Sequence, residues 1–181
     1  MMTTTHIAVG MTLAYGLVVL FPAFTPVVLG VAIVASIFPD LDVLFEHRKT
    51  LHFPVYYAVV TLPATVFAAL WPSALSIGLF TFLLFAWVHS VSDIFGGGAE
   101  ARPWEVESRH AVYVHFTNRW LPPDRGVRYD GSPEDLALVV AFSVPAFVLY
   151  DGPLFYLLVV NLSLSVVYTV FRKQVPDFDL S

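Results

Sequence analysis

The residues able to do chemistry in this chain stand in short clusters: Pro39-Asp40-Leu41-Asp42, then His47-Arg48-Lys49-Thr50-Leu51-His52, then His89-Ser90-Val91-Ser92-Asp93, with His6 behind Thr3-Thr4-Thr5 near the start. Imidazole nitrogens and carboxylate oxygens together are ligands for a divalent cation, which can activate water for hydrolysis. Cysteine is absent, so any metal must be held by nitrogen and oxygen. Zinc suits the imidazoles, whereas manganese or magnesium suits the carboxylates, and the mixed set leaves all three open.

Each cluster has a chemical and a plain reading. Asp40 and Asp42, two apart on non-helical backbone beyond Pro39, can turn both carboxylates toward one cation, or they can simply end a helix in water. His47 and His52 converge only if the chain turns between them; otherwise they are solvated loop residues, and Arg48 and Lys49 are topology signals. His89 and Asp93 are four apart, so a helix continued past Val88 puts them on one face, with Asp93 either a ligand or a hydrogen-bond partner that orients a histidine. Glu105, His110 and His115 are left outside the core site, because Trp104, Tyr113 and Trp120 nearby suit an interfacial or capping role. Gly96-Gly97-Gly98 reads as a flexible exit from a helix.

The elements that must bring these clusters together are apolar. The chain has 181 residues, 57% of them hydrophobic and 13% charged, with mean hydropathy +0.75, outside the range of soluble globular domains. Uncharged runs cover Ile7 to Phe38, Phe53 to Val88, Leu136 to Tyr150 and Pro153 to Phe171. Crossing a bilayer takes about 20 helical residues, so the first two runs are each cut into a hairpin. Pro22 and Pro26 cut the first, Trp71-Pro72 the second, and Asp151-Gly152-Pro153 separates the last two. The expected fold is an all-α, polytopic membrane bundle: a single domain over 1–181, with about six helices in three hairpins and a long polar cytoplasmic loop at about 90–135. Segment two, from about Pro26, is short for a crossing.

With six spans, every Lys and Arg and all six histidines fall on one side, which the positive-inside rule makes cytoplasmic along with both termini. The expected location is the cell membrane, with lipids as partners. A net charge of −5 gives no basic patch for nucleic acid, which is not an expected partner. The stretch from Pro176 to Ser181 is expected to be a short tail.

In this order, Thr5-His6, Pro39-Asp40-Leu41-Asp42, His47-Arg48 through His52, and His89 to Asp93 resemble the inner-membrane-bound metal-dependent hydrolases of the YdjM type. The resemblance covers roughly the first hundred residues. It implies a polytopic membrane fold and a metal-assisted hydrolase activity. The chain differs from that pattern at Phe53-Pro54 and in its long polar stretch.

The expected site therefore has His6, Asp40, Asp42, His52, His89 and Asp93 around one or two cations. His47 would be a ligand or acid/base, Arg48 would stabilise an anionic oxygen, and Asp93, if not bound to metal, would accept the proton from water. Headgroup depth favours a lipid or phosphoester substrate. A non-catalytic metal-binding scaffold or sensor is the alternative. A transporter is disfavoured because the span interiors carry Asn161 and hydroxyls but no central charge. Proteolysis lacks a His-Glu-x-x-His or Gly-x-Ser-x-Gly motif. Oligomeric state is not legible from these features.

Overall fold

A computed structural model describes residues 1–105 and 109–175. The expected tail lies outside the described residues. Six α-helices occur among them: α1 (Thr3–Leu20), α2 (Thr25–Ile37), α3 (Pro54–Leu70), α4 (Ala74–Ser92), α5 (Pro133–Leu149) and α6 (Gly152–Phe171). Their breaks fall where turn chemistry placed them. Pro26 and Pro54 stand in the first turns of α2 and α3, where a missing N–H costs nothing. Ser73 and Ser76 form a reciprocal capping box that starts α4. Gly152 takes a φ of 55° at the turn into α6.

Helix α1 is the axis. α2, α5 and α6 all pack on it, and α4 sits between α2 and α3. Small side chains make this close approach available: Gly10 faces Ala32 and Ser36, and Ala14, Ala35, Ala64, Ala68 and Ala86 are buried. Polar clamps hold α5 and α6 to α1. Asp135, buried at the start of α5, accepts from the Met2 amide and from Thr5 Oγ1; Tyr150 Oη donates to Met11 O; and Asn161 Nδ2 donates to Thr4 O.

Large apolar side chains point the other way. Leu62, Val66 and Leu70 on α3, and Val160, Leu164 and Val170 on α6, are exposed. Four helical stretches are long and apolar enough to cross a membrane: Thr3–Leu20, Pro22–Leu44, Ala74–Phe95 and Gly152–Phe171. The second reaches that length because a 3-10 segment, Phe38–Leu44, continues α2 by two turns, so the segment expected to be short is extended. α3 and α5 have 17 residues each.

The long polar stretch is not wholly irregular, and the all-α expectation misses a two-stranded antiparallel hairpin, β1 (Val112–Val114) with β2 (Arg119–Leu121). Strands of three residues are too short to show alternation in sequence. Tyr113 pairs with Trp120 across the hairpin, and the Tyr113 amide donates to Arg48 O, docking the hairpin on the histidine loop.

The glycine run is also more than a flexible exit. A Cβ on Gly97 would run into the Arg128 carbonyl and Tyr129 Cα, and Gly97 O accepts from Arg48 Nη1 at 2.6 Å. Gly97→Ala is expected to destabilise the fold by about 1–3 kcal/mol, the usual cost of forcing a methyl into a packed contact. A lowered melting temperature in detergent checks this, and an unchanged one refutes it.

Candidate metal centre

Antiparallel packing brings the start of α1, the end of α2, the start of α3 and the end of α4 to one end of the bundle, and the sequence clusters sit at those termini. His6 is in the first turns of α1, Asp40 and Asp42 lie on the 3-10 segment, His52 precedes α3, and His89 and Asp93 close α4. Asp40, His52, His89 and Asp93 each present one ligand atom such that all four atoms lie within 4.8 Å of one another. His52, His89 and Asp93 are fully buried or nearly so, and Asp40 is at the rim.

Hydrogen bonding outside the cluster sets the ring tautomers. His89 Nδ1 lies 2.7 Å from Ser36 O, which can only accept, so Nδ1 carries the proton and Nε2 turns inward. Buried His89 Nε2 makes no hydrogen bond, yet faces Asp40 Oδ1 at 3.3 Å and Asp93 Oδ2 at 3.6 Å. At His52, Nδ1 donates to Asp42 Oδ2 at 2.8 Å, and Nε2 lies within hydrogen-bond range of Asp93 Oδ2 at 3.1 Å. A lone pair set against a carboxylate repels unless a proton or a metal cation lies between them. Ligand bonds of about 2.1 Å at near-tetrahedral or square angles separate neighbouring ligand atoms by about 3.0–3.4 Å. The spacings of 3.1 and 3.3 Å match that requirement, and the 3.6 Å from His89 Nε2 to Asp93 Oδ2 is slightly wider. The donor set, the spacing and the orphaned Nε2 all fit a divalent cation.

The remaining expected residues take other places. Asp40 and Asp42 diverge, because in a 3-10 turn positions two apart lie about 120° apart around the axis. Asp40 points to His89 and accepts from Thr3 Oγ1. Asp42 points into the loop, where Oδ1 accepts from His47 Nδ1 and Arg48 N, and Oδ2 from Lys49 N, Leu51 N and His52 Nδ1. Two carboxylate oxygens offer about four lone-pair sites. With five donors on them, Asp42 folds the loop and orients His52 rather than facing the cluster.

His6 stacks on His89 with ring centroids 3.6 Å apart, lies 3.2 Å from Asp93 Oδ1 through Nε2, and meets Ser92 Oγ through Nδ1. It lines the cluster from the side of Asp93 Oδ1, where the Met1 nitrogen also lies at 2.6 Å. His47, held by Asp42 through Nδ1, is the partly exposed histidine beside the cluster. Arg48, buried with a φ of 59°, bonds Gly97 O through Nη1 and leaves Nε 3.7 Å from Asp93 Oδ2.

Glu105, His110 and His115 stay outside. Glu105 pairs with Arg102, His110 packs on Trp120, and His115 packs against Phe53 and Tyr113. Burial, and then the Lys49 ammonium, lowers the His115 pKa, which keeps that ring neutral at neutral pH. Sequence reasoning missed the carbonyls of Ser36 and Gly97, since every residue has one and none is marked. It also missed Thr3 as Asp40's donor, although the threonine run beside His6 was visible.

A cavity of about 980 Å³ opens beside the cluster, lined at its polar end by Asp40, His47 and Arg48. A smaller one of about 430 Å³ lies at the α5–α6 turn around Tyr150 and Phe155, at the opposite end of the bundle.

Comparison with protein-family models, with curated proteins and with solved structures gave no match.

Proposed function

We propose that this chain is an integral membrane, metal-dependent hydrolase that cleaves phosphoesters at the cytoplasmic face. The observation that carries the reading is the His89 Nε2 atom, buried and without a hydrogen bond, 3.3 and 3.6 Å from two carboxylates. The membrane setting is supported by an interior of small residues and an outer surface of Leu, Val and Phe, the reverse of a soluble bundle. The cytoplasmic orientation is supported by the placement of every Lys and Arg at the end that holds the cluster.

A divalent cation held by Asp40, His52, His89 and Asp93 would supply Lewis acidity and make water nucleophilic at neutral pH. The chain's own groups divide the remaining work. Asp93 is enclosed by His6, His52 and Arg48, with both oxygens engaged, so the proton falls to His47. Asp42 fixes the His47 ring through Nδ1 and leaves Nε2 as the nitrogen available to the cavity. In the step, the water oxygen bonds to phosphorus while the P–O ester bond breaks. His47 takes the proton from water and returns it to the departing alkoxide. Arg48 balances the charge that gathers on the phosphoryl oxygens.

Elemental analysis of the detergent-purified protein is expected to find a bound divalent ion that His89→Ala loses, together with hydrolysis in a panel of phosphoesters. Metal content equal in the wild type and His89→Ala would sink the metal site. Metal without turnover on any phosphoester would sink the hydrolase.

A further inference from the structure

We propose that the large cavity seats a lipid phosphomonoester, its anionic headgroup at Arg48 and the Asp40–His47 rim and one hydrocarbon chain laid along α6. This deepens the hydrolase reading and rests on it for the position of the headgroup.

The cavity has two chemically different ends. At one, Asp40, His47 and Arg48 border the cluster; along the other, Leu164, Val167 and Phe171 of α6 form a wall. Their spacing of three and four residues puts these side chains on one helix face, spanning about 10 Å at 1.5 Å per residue. The start of α1, Met1 to Thr4, also lines the cavity. All three wall residues are more than half exposed, so the wall is open along its length. A free phosphate or sugar phosphate makes no use of this wall, whereas a lipid chain lying among the surrounding bilayer chains runs along it toward the polar end.

The polar end calls for an anion. Arg48 is 3% exposed, and its Nε makes no hydrogen bond. Two other cations belong to lining residues: the Met1 ammonium is held by Asp93 Oδ1 at 2.6 Å, and Arg172 is committed to Asp130 through Nε at 2.7 Å and Nη2 at 2.9 Å, which also neutralises that carboxylate. Glu100 faces His110 at 3.9 Å through Oε1, and its Oε2 is buried without a hydrogen bond. Arg48, whose Nε lies 3.7 Å from Asp93 Oδ2 without a hydrogen bond to it, is thus the cation on this lining with an N–H not yet bonded, next to a polar cluster and at the mouth of an apolar trough. Headgroup and chain are required together.

The probe is the dioleoyl phosphonate analogue of phosphatidic acid, which cannot be hydrolysed, titrated into purified protein in detergent and read by native mass spectrometry. Methylphosphonate supplies the headgroup without a chain, and dioleoyl phosphatidylcholine supplies the chains without a terminal phosphate. The lipid phosphonate is expected to bind at least tenfold tighter than either. Val167→Trp, filling the trough, should weaken it at least tenfold, whereas Val166→Trp, on the opposite face of α6, should not. Equal affinity for methylphosphonate, equal affinity for phosphatidylcholine, or equal effects of the two tryptophans would overturn the proposal. Because the readout is binding, its failure is separable from failure of the hydrolase. Lipid phosphonate retained with no phosphoester cleaved leaves the trough and removes the activity; cleavage of a soluble phosphoester with no lipid phosphonate bound does the reverse.

Discussion

Asp93→Asn is expected to strip the protein of its divalent ion, abolish hydrolysis and cause the largest loss of stability of any substitution in the cluster. The side chain keeps its size, so the effect is one of charge. Asp93 is fully buried and faces His6, His52, His89, Arg48 and the Met1 nitrogen. Removing its charge takes a ligand from the cation and also leaves the Arg48 guanidinium buried without its carboxylate. Breaking a buried pair from one side costs about 3–5 kcal/mol. Asp40→Asn provides the comparison. Asp40 sits at the rim and has no arginine among its contacts, so its loss should remove metal with a smaller fall in melting temperature. Metal analysis and thermal unfolding in detergent read the two effects separately. Metal retained in Asp93→Asn would refute the ligand assignment; equal melting shifts in the two variants would refute the Arg48 argument.

His47→Asn separates the proton carrier from the metal. The asparagine amide, placed as Nδ1 is, can still donate to Asp42, so the loop and His52 should keep their positions. It cannot exchange a proton with water. Turnover is expected to fall by roughly 10²–10⁴, the usual share of a general acid/base, with bound metal unchanged. Turnover within a few-fold of wild type would remove His47 from the mechanism. Lost metal would make it a ligand, the other role its position in the sequence allowed.

The helical hairpins were legible because the signals are local. Pro22, Pro26, Pro72 and Gly152 disfavour helix interiors wherever they fall, and uncharged runs of fixed length need only be counted. The i,i+4 relation of His89 and Asp93 was legible for the same reason. Less legible were features set by distant partners. The hairpin at 112–121 has strands of three residues and docks through a carbonyl of the histidine loop. Gly97 looked like part of a flexible helix exit because nothing in its neighbourhood announces the Arg128 backbone against it.

By itself, then, the sequence determined the set of helices, the end of the bundle where the charges gather, and the pool of His and Asp from which a cation site could be drawn, since hydropathy and backbone restriction act within a few residues. Which of Asp40 and Asp42 faces the cluster follows from the three-dimensional packing. Both follow the same proline, but the turn of the 3-10 segment sends one carboxylate to His89 and gives the other to five donors in the loop. The ring tautomers were likewise decided there, by Ser36 O and Asp42, 53 and 10 residues away from the histidines they orient. Ligand geometry depends on directions in space, and those exist only once four helix ends have met.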